Sequence, residues 1–327
     1  MMNEINRRRL LGGMGLLGIS ACGMGSALAV QGQPNRTETE FLGRNAIYNI
    51  PENCRGLVYT FHGSQGSERF AVNSQTAAVL DTLLKGGYGY FSTASDLRKP
   101  PKRWDTSKAS SRRNKDIAHM VAVDQELRSK GFIEGNTPIY AMGMSNGAAF
   151  SHLFSSAAKE EGLPVAAVAA YMGGFPPGML DFPTDTHILP PTFTVFGEND
   201  GFIQLDRTQS ILQTQIERGA QIEQHIVRET LITPETFLVG KLAFEDRVRV
   251  VKILKDEGFI DAEGRRLLFG ENPKITRAME QELADKLPQE IRKRLIFGEI
   301  LIAWAGHKMR SDYAEEQLAF FERFVDR

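Results

Sequence analysis

Gly143-Met144-Ser145-Asn146-Gly147 decides how this chain is read, because of what stands on either side of it. The residues before it, Thr137-Pro138-Ile139-Tyr140-Ala141-Met142, form a short apolar run of the kind a buried strand shows. Those after it, Ala148-Ala149-Phe150-Ser151-His152-Leu153-Phe154, open a helical pattern of small and apolar residues. Strand, tight turn and helix around G-x-S-x-G predict a nucleophile elbow. In such a turn the serine takes a strained backbone conformation that lifts its hydroxyl above a parallel sheet, and glycine is needed wherever a Cβ would strike the neighbouring strand or helix. Without its flanks the pattern is weak, and an ordinary glycine-rich turn is the competing reading.

Working outward, apolar runs at 41–50, 57–61, 88–92, 139–142, 165–171, 192–196 and 222–227 read as strands, with helical segments between most of them. Segment 117–130 sets Ile117, Met120, Val121 and Leu127 at helical spacing, with Asp116 as the expected N-cap. Alternating strands and helices predict an α/β fold, a mostly parallel eight-stranded sheet with helices on both faces. The alternation stops at residue 230. From 231 to 300 the period is helical: Thr233-Pro234 is a cap followed by a first-turn proline, Phe244, Val248, Val251 and Leu254 share a face, and so do Ile275, Met279 and Leu283. Between these helices, 259–269, centred on Ala262-Glu263-Gly264, suits a small hairpin. The expected organisation is a linker at 30–40, a core from 41–230 and 301–327, and a helical cap inserted at 231–300.

The chain has 327 residues, 42% hydrophobic and 24% charged, with a formal charge of −1, which excludes disordered and fibrous classes and gives no global signal for nucleic-acid binding. Its first 29 residues read as an export signal: Arg7-Arg8-Arg9-Leu10-Leu11 precedes a glycine-rich, weakly apolar run and the small-x-small site Ala27-Leu28-Ala29. The paired arginines indicate the twin-arginine route. Ile19-Ser20-Ala21-Cys22 also resembles a lipoprotein box, with Cys22 as a lipidated first residue, so a lipid anchor and a free mature end both stand open. Removal of residues 1–29 takes away three arginines and one glutamate and moves the formal charge from −1 to −3. The expected localisation is outside the bacterial cytoplasm, periplasmic or secreted, or membrane-anchored through Cys22. Gly13-Met14-Gly15-Leu16-Leu17-Gly18 fits a dinucleotide fingerprint, but it follows a basic tip rather than a strand and is set aside. Either cleavage leaves Cys54 without an intramolecular disulfide partner.

A serine hydroxyl needs an imidazole to take its proton, and the imidazole needs a carboxylate to fix its tautomer. Phe196-Gly197-Glu198-Asn199-Asp200-Gly201 follows the strand 192–196 and puts Asp200 at the same sheet edge as Ser145, with Glu198 as the second choice of acid. Among six histidines, His307 in Ala305-Gly306-His307-Lys308 has the expected place near the C-terminus. His225 lies in a strand and is the weaker candidate; His119, His152 and His187 read as structural. The expected catalytic set is Ser145, Asp200 and His307. The turn His62-Gly63-Ser64-Gln65-Gly66 follows the strand 57–61 and supplies the first oxyanion donor, the N–H of Ser64, beside that of Asn146.

Taken together, His62-Gly63-Ser64-Gln65, Asn114-Lys115-Asp116-Ile117-Ala118, the elbow with its Tyr140-Ala141-Met142 lead, and Phe196-Gly197-Glu198-Asn199-Asp200 resemble α/β-hydrolases of the polyhydroxybutyrate depolymerase and feruloyl esterase-like group. The resemblance covers about residues 57 to 205 and implies a serine esterase of the α/β-hydrolase fold, with Ser145, Asp200 and His307 at the matching positions. Two departures stand out. Members often carry Cys where Ser64 stands, and Ala148 replaces a frequent second glycine.

Residues 98–115 hold Arg98, Lys99, Lys102, Arg103, Lys108, Arg112, Arg113 and Lys115 against Asp105 alone. The segment begins at the active edge of the sheet, so Gln65, Trp104, Arg112 and Arg113 are the candidate substrate-binding residues, Trp104 by stacking and the arginines by steering an anion. A mobile, solvated loop is the competing reading. No metal-ligand spacing or cofactor motif occurs, so the expected partner is an acyl substrate, small or polymeric, neutral or anionic. Ester cleavage is the expected reaction; cleavage of amides in an anionic polymer is the alternative, and a binding module without chemistry a third.

Overall fold

The computed structural model describes residues 36–96, 102–183, 187–237, 242–267, 285–286, 288–292 and 296–325. The leader with Cys22, the 231–300 positions Ile275, Met279 and Leu283, and the cations Arg98 and Lys99 lie outside the described residues.

Eight strands form one sheet: β1 (Thr37–Phe41), β2 (Arg44–Asn49), β3 (Gly56–Phe61), β4 (Tyr88–Thr93), β5 (Ile139–Met144), β6 (Val165–Tyr171), β7 (Thr192–Gly197) and β8 (Ile222–Val227). Their order is β1-β2-β4-β3-β5-β6-β7-β8, with β1 and β2 antiparallel and β3 to β8 parallel. This is the α/β-hydrolase arrangement, and it sets the carboxyl ends of β3, β5 and β7 along one edge.

The central strands are buried on both faces, which is why they read as unbroken apolar runs. On one face Leu57, Tyr59 and Phe61 pack under α2 (Lys115–Ser129) and α3 (Asn146–Glu160). On the other, Val58, Tyr88, Tyr90, Tyr140 and Met142 pack under α1 (Ser74–Lys85) and the C-terminal helix Ala314–Glu322. Helix α4 (Leu205–Glu217) closes a smaller cluster with Leu189, Phe196 and Leu212 near the β8 side.

Three expectations are corrected. Residues 37–40 are not linker but the start of β1, and the single run 41–50 is broken by a hairpin turn, because Leu42 and Gly43 take φ of 48° and 78° and reverse the chain. The N-cap of α2 is Asn114, whose Oδ1 accepts from the N–H of Asp116 and Ile117. In α5 (Phe244–Asp256) the buried face is Val250, Val251 and Leu254, whereas Phe244 and Val248 are exposed, Phe244 lying beneath the guanidinium of Arg247. That face joins Phe237, Phe259, Ile300 and Trp304 in a core of its own. The small hairpin is present as the bridge Ile260 to Arg266, turning at Gly264 with φ 93°.

Cys54 is a free thiol that donates to the Gly56 carbonyl and accepts from the Gly89 N–H; burial pushes its pKa up, so it is a poor nucleophile. Among the described residues no helix is long and apolar enough to cross a membrane.

Candidate active site

Ser145 has φ 60° and ψ −122°, a conformation costly for a residue with a side chain and held here by packing on every side. A Cβ on Gly147 would stand 2.0 Å from the Phe61 carbonyl oxygen, and one on Gly143 2.3 Å from the Gly147 backbone, so β3, β5 and α3 meet only because both are glycine. Ala148 is accommodated by a third: a Cβ on Gly173 would lie 2.3 Å from that of Ala148. The space that the resemblance places in a second elbow glycine is supplied from the end of β6 instead.

A ladder of hydrogen bonds crosses the carboxyl edge from the elbow to the acid loop. Ser145 N–H donates to Tyr171 O, Met172 N–H to Val195 O, and Gly197 N–H to the Met172 thioether. Beyond β7, Asp200 is fully buried at its side chain, and its two oxygens lie 2.9 and 2.8 Å from His307 Nδ1. The Nδ1–H therefore donates to Asp200, which leaves Nε2 as the ring's acceptor atom. His307 is placed by its own loop: a Cβ on Gly197 would meet the Ala305 carbonyl oxygen at 2.0 Å, and Asn199 donates from its backbone to Ala305 O and from its side chain to Trp304 O.

The competing candidates are occupied elsewhere. Glu198 accepts from Arg228 and from the Glu229 N–H, and the Arg228 hydrogen bond holds its carboxyl below the usual range. His225 bonds Glu223 and packs between Phe193 and Tyr313. His152 is buried against Phe175, which pushes its pKa down to about 4, and His187 bonds Ser156 and stacks on Phe182.

Gly63 adjoins Ser145, its Cβ direction passing 3.4 Å from the serine Cβ, which brings the following residue to the elbow. Gln65 has φ 71° and gives its N–H to Lys102 O at 2.7 Å, and Gly66 gives its own to Gly63 O. The Ser64 N–H meets no acceptor among the described residues, and Asn146, first residue of α3, has no intrahelical acceptor either. Two unspent N–H groups thus flank the serine. His62 fastens the loop: Nδ1–H donates to Gly63 O, Nε2 accepts from Ser95 N–H, and burial lowers its pKa, keeping it neutral.

Residues 102–115 depart from two expectations, the stacking role of Trp104 and the mobile loop. Trp104 is 1% exposed, stacks on Phe150 at 4.7 Å and donates Nε1–H to His62 O, so it is core and not a ligand-stacking ring. Its backbone is paired with the Asn146 side chain: Trp104 N–H donates to Oδ1 at 2.7 Å, and Nδ2 donates to Trp104 O at 3.2 Å. Nor is the segment loose. Asp116, 1% exposed, accepts from Arg44, from the Asp96 N–H and from the Asp105 N–H, while Asn114 Nδ2 donates to the carbonyls of Asp105 and Lys108. Lys102, Arg103, Lys108, Arg112, Arg113 and Lys115 are exposed on this fixed backbone. Sequence reasoning missed the roles of Asp116 and of the Asn146 amide; the adjacent pair Asn114 and Asp116 was the available signal, since one helix start uses one cap.

Beside the Asp200–His307 pair runs a groove of about 600 Å³ between α4 and the stretch after β6, lined by Phe175, Met179, Phe182, Phe202, Ile203 and Arg207 among others. Neither Ser145 nor His307 lines it. Phe202 joins it to the site, 61% exposed and with its ring 4.7 Å from that of His307.

No protein-family model matches the chain, and no curated protein matches it. Among solved structures it is similar to the Thermus thermophilus protein TT1662, at 15% identity and a TM-score of 0.47, over 89% of this chain and 98% of the other. It is also similar to the Pyrococcus furiosus esterase Pf2001, at 16% and 0.45 over 68% and 89%, and to a carboxylesterase from Mesorhizobium loti, at 18% and 0.43 over 59% and 90%. These likenesses are distant, and the chemistry of the site is read from its own geometry.

Proposed function

We propose that the protein is a serine hydrolase that cleaves carboxylic esters through an acyl-enzyme on Ser145. The observation that carries this reading is the pairing of His307 Nδ1 with both oxygens of the buried Asp200, on the sheet edge where Ser145 occupies a strained elbow. In this reading His307 Nε2 takes the Ser145 proton as Oγ attacks the acyl carbonyl, and the N–H groups of Ser64 and Asn146 receive the oxyanion. His307 then returns the proton to the leaving oxygen, and water repeats the sequence to release the acid.

Labelling by a fluorophosphonate probe tests the assignment. Wild type labels and Ser145→Ala does not; an unlabelled wild type, or an equally labelled variant, removes it. The substrate class follows from a panel of short nitrophenyl esters, a polyhydroxyalkanoate, a hydroxycinnamate ester and a poly-acid amide, with the esters turned over and the amide not. We also place the protein outside the cytoplasm on the strength of its leader, to be checked by mass spectrometry of the mature N-terminus, expected at Val30 or at a lipidated Cys22.

A further inference from the structure

The groove beside Phe202 has a body and a charge that point to one kind of molecule. Phe175, Met179, Phe182, Leu189 and Ile203 make its walls apolar, and among the described residues no Asp or Glu lines it, whereas Arg207 and Arg218 do. Arg207 makes a single long hydrogen bond, 3.4 Å to Gln204 three residues earlier, and pairs with no carboxylate among the described residues. An arginine exposed at an apolar concave wall suits a ligand carboxylate, which its planar fork holds through two hydrogen bonds.

Geometry limits where that carboxylate sits relative to the reacting bond. Phe202 touches His307 at one end of the groove, and Arg207 stands at the first turns of α4. Arg218, eleven residues on, lies about 16 Å further along the helix axis on the same side. The opposite wall is tied to the basic segment, since Gly178 N–H donates to Thr106 O at 2.8 Å, so groove and exposed cations share one boundary. A neutral apolar ester would make no use of Arg207, which is exposed to water, and a polyanion held by surface cations alone would have no use for the apolar walls.

We propose that this groove binds the apolar body of an ester that also bears a free carboxylate, such as the half-ester of a dicarboxylic acid, with Arg207 as the carboxylate anchor. This rests on the ester-hydrolase reading and names the substrate class of that site.

The test compares kcat/KM for mono-4-nitrophenyl adipate with that for 4-nitrophenyl hexanoate, which has the same chain length and no charge. Wild type favours the adipate by about tenfold or more, Arg207→Gln removes most of that ratio, Arg207→Lys restores part of it, and salt raised from about 0.05 to 0.5 M lowers it. Calorimetric binding of monohexyl adipate to Ser145→Ala reads the groove without the chemistry, and Arg207→Gln in that background weakens it by a similar factor. Turnover of both esters with a ratio near one, or with a ratio that Arg207→Gln leaves unchanged, overturns the groove assignment. Carboxylate binding that depends on Arg207 in a protein that neither labels nor hydrolyses overturns the hydrolase reading and leaves the anchor standing. No labelling and no binding overturns both.

Discussion

In the proposed mechanism Asn146 gives the second oxyanion N–H from its backbone, while its side-chain amide closes a two-bond pair with Trp104. Because Gln65, next to the first donor, is bonded to Lys102, the tripeptide Lys102-Arg103-Trp104 sets the spacing of both donors. Asn146→Ala keeps the N–H and removes the pairing, so kcat should fall by about 10- to 100-fold with little change in KM, as displaced oxyanion donors cost the transition state and not the ground state. Steady-state kinetics beside the affinity of a boronate inhibitor checks this; a change confined to KM would refute it. Asp200→Asn should lower kcat by about 10⁴ with the fold intact, since the amide stabilises the wrong tautomer of His307. Asp116 is a different case, a buried carboxylate whose removal takes from Arg44, 6% exposed, its closest acidic partner and leaves two loop N–H groups without their acceptor. Asp116→Ala should cost about 3–5 kcal/mol in urea unfolding.

At the level of elements, the loop bearing the base is positioned by contact with another backbone. Gly197→Ala would drive a methyl into the Ala305 carbonyl, 2.0 Å away, and push His307 off Asp200. The expected result is a loss of roughly 10²-fold in kcat, since a displacement of this size costs about that much, with slower fluorophosphonate labelling. The same level shows what the sequence could disclose. Strands β3 to β7 were legible because burial on both faces writes them as largely apolar runs, β8 is a half-buried Ile222-Glu223-Gln224-His225-Ile226-Val227, and the elbow and acid loop were legible because their glycines answer local crowding. The β1–β2 hairpin was not, since its turn uses Leu42, an apolar residue that carries no turn signal. Trp104 was misread because its partners Phe150, His62 and Asn146 are about forty residues away in sequence, beyond any local pattern. The buried face of α5 was read only in its second half, at Val251 and Leu254, for a related reason: Phe244 and Val248 keep the period, and only the neighbouring Phe237 and Trp304 decide which stripe turns inward.

For the molecule as a whole, burial of uncharged histidines makes stability depend on pH. His152 titrates near 4 in the native protein against 6.5 when exposed, so between these values the unfolded chain binds a proton that the native one does not. Stability therefore falls as pH drops below about 6.5, by up to about 1.4 kcal/mol per pH unit from this residue. His62 and His187 act in the same direction. His152→Gln should flatten the fall in Tm between pH 7 and 5; an unchanged slope would assign it to other groups. Thr230 meanwhile donates its N–H to Ala303 O at 2.7 Å and its hydroxyl to the same oxygen at 3.3 Å, so the chain leaves the sheet and comes back at a single clasp. With the ends fixed there, doubling or halving the excursion between them changes closure entropy by only about 0.6 kcal/mol. Descendants of this chain can then lengthen, trim or exchange the stretch from residue 231 to the helix Ile296–Ala303, whose carbonyls hold the His307 loop, while Asp200 and His307 keep their separation, which makes the stretch a ready seat for new specificities on the proposed catalytic frame.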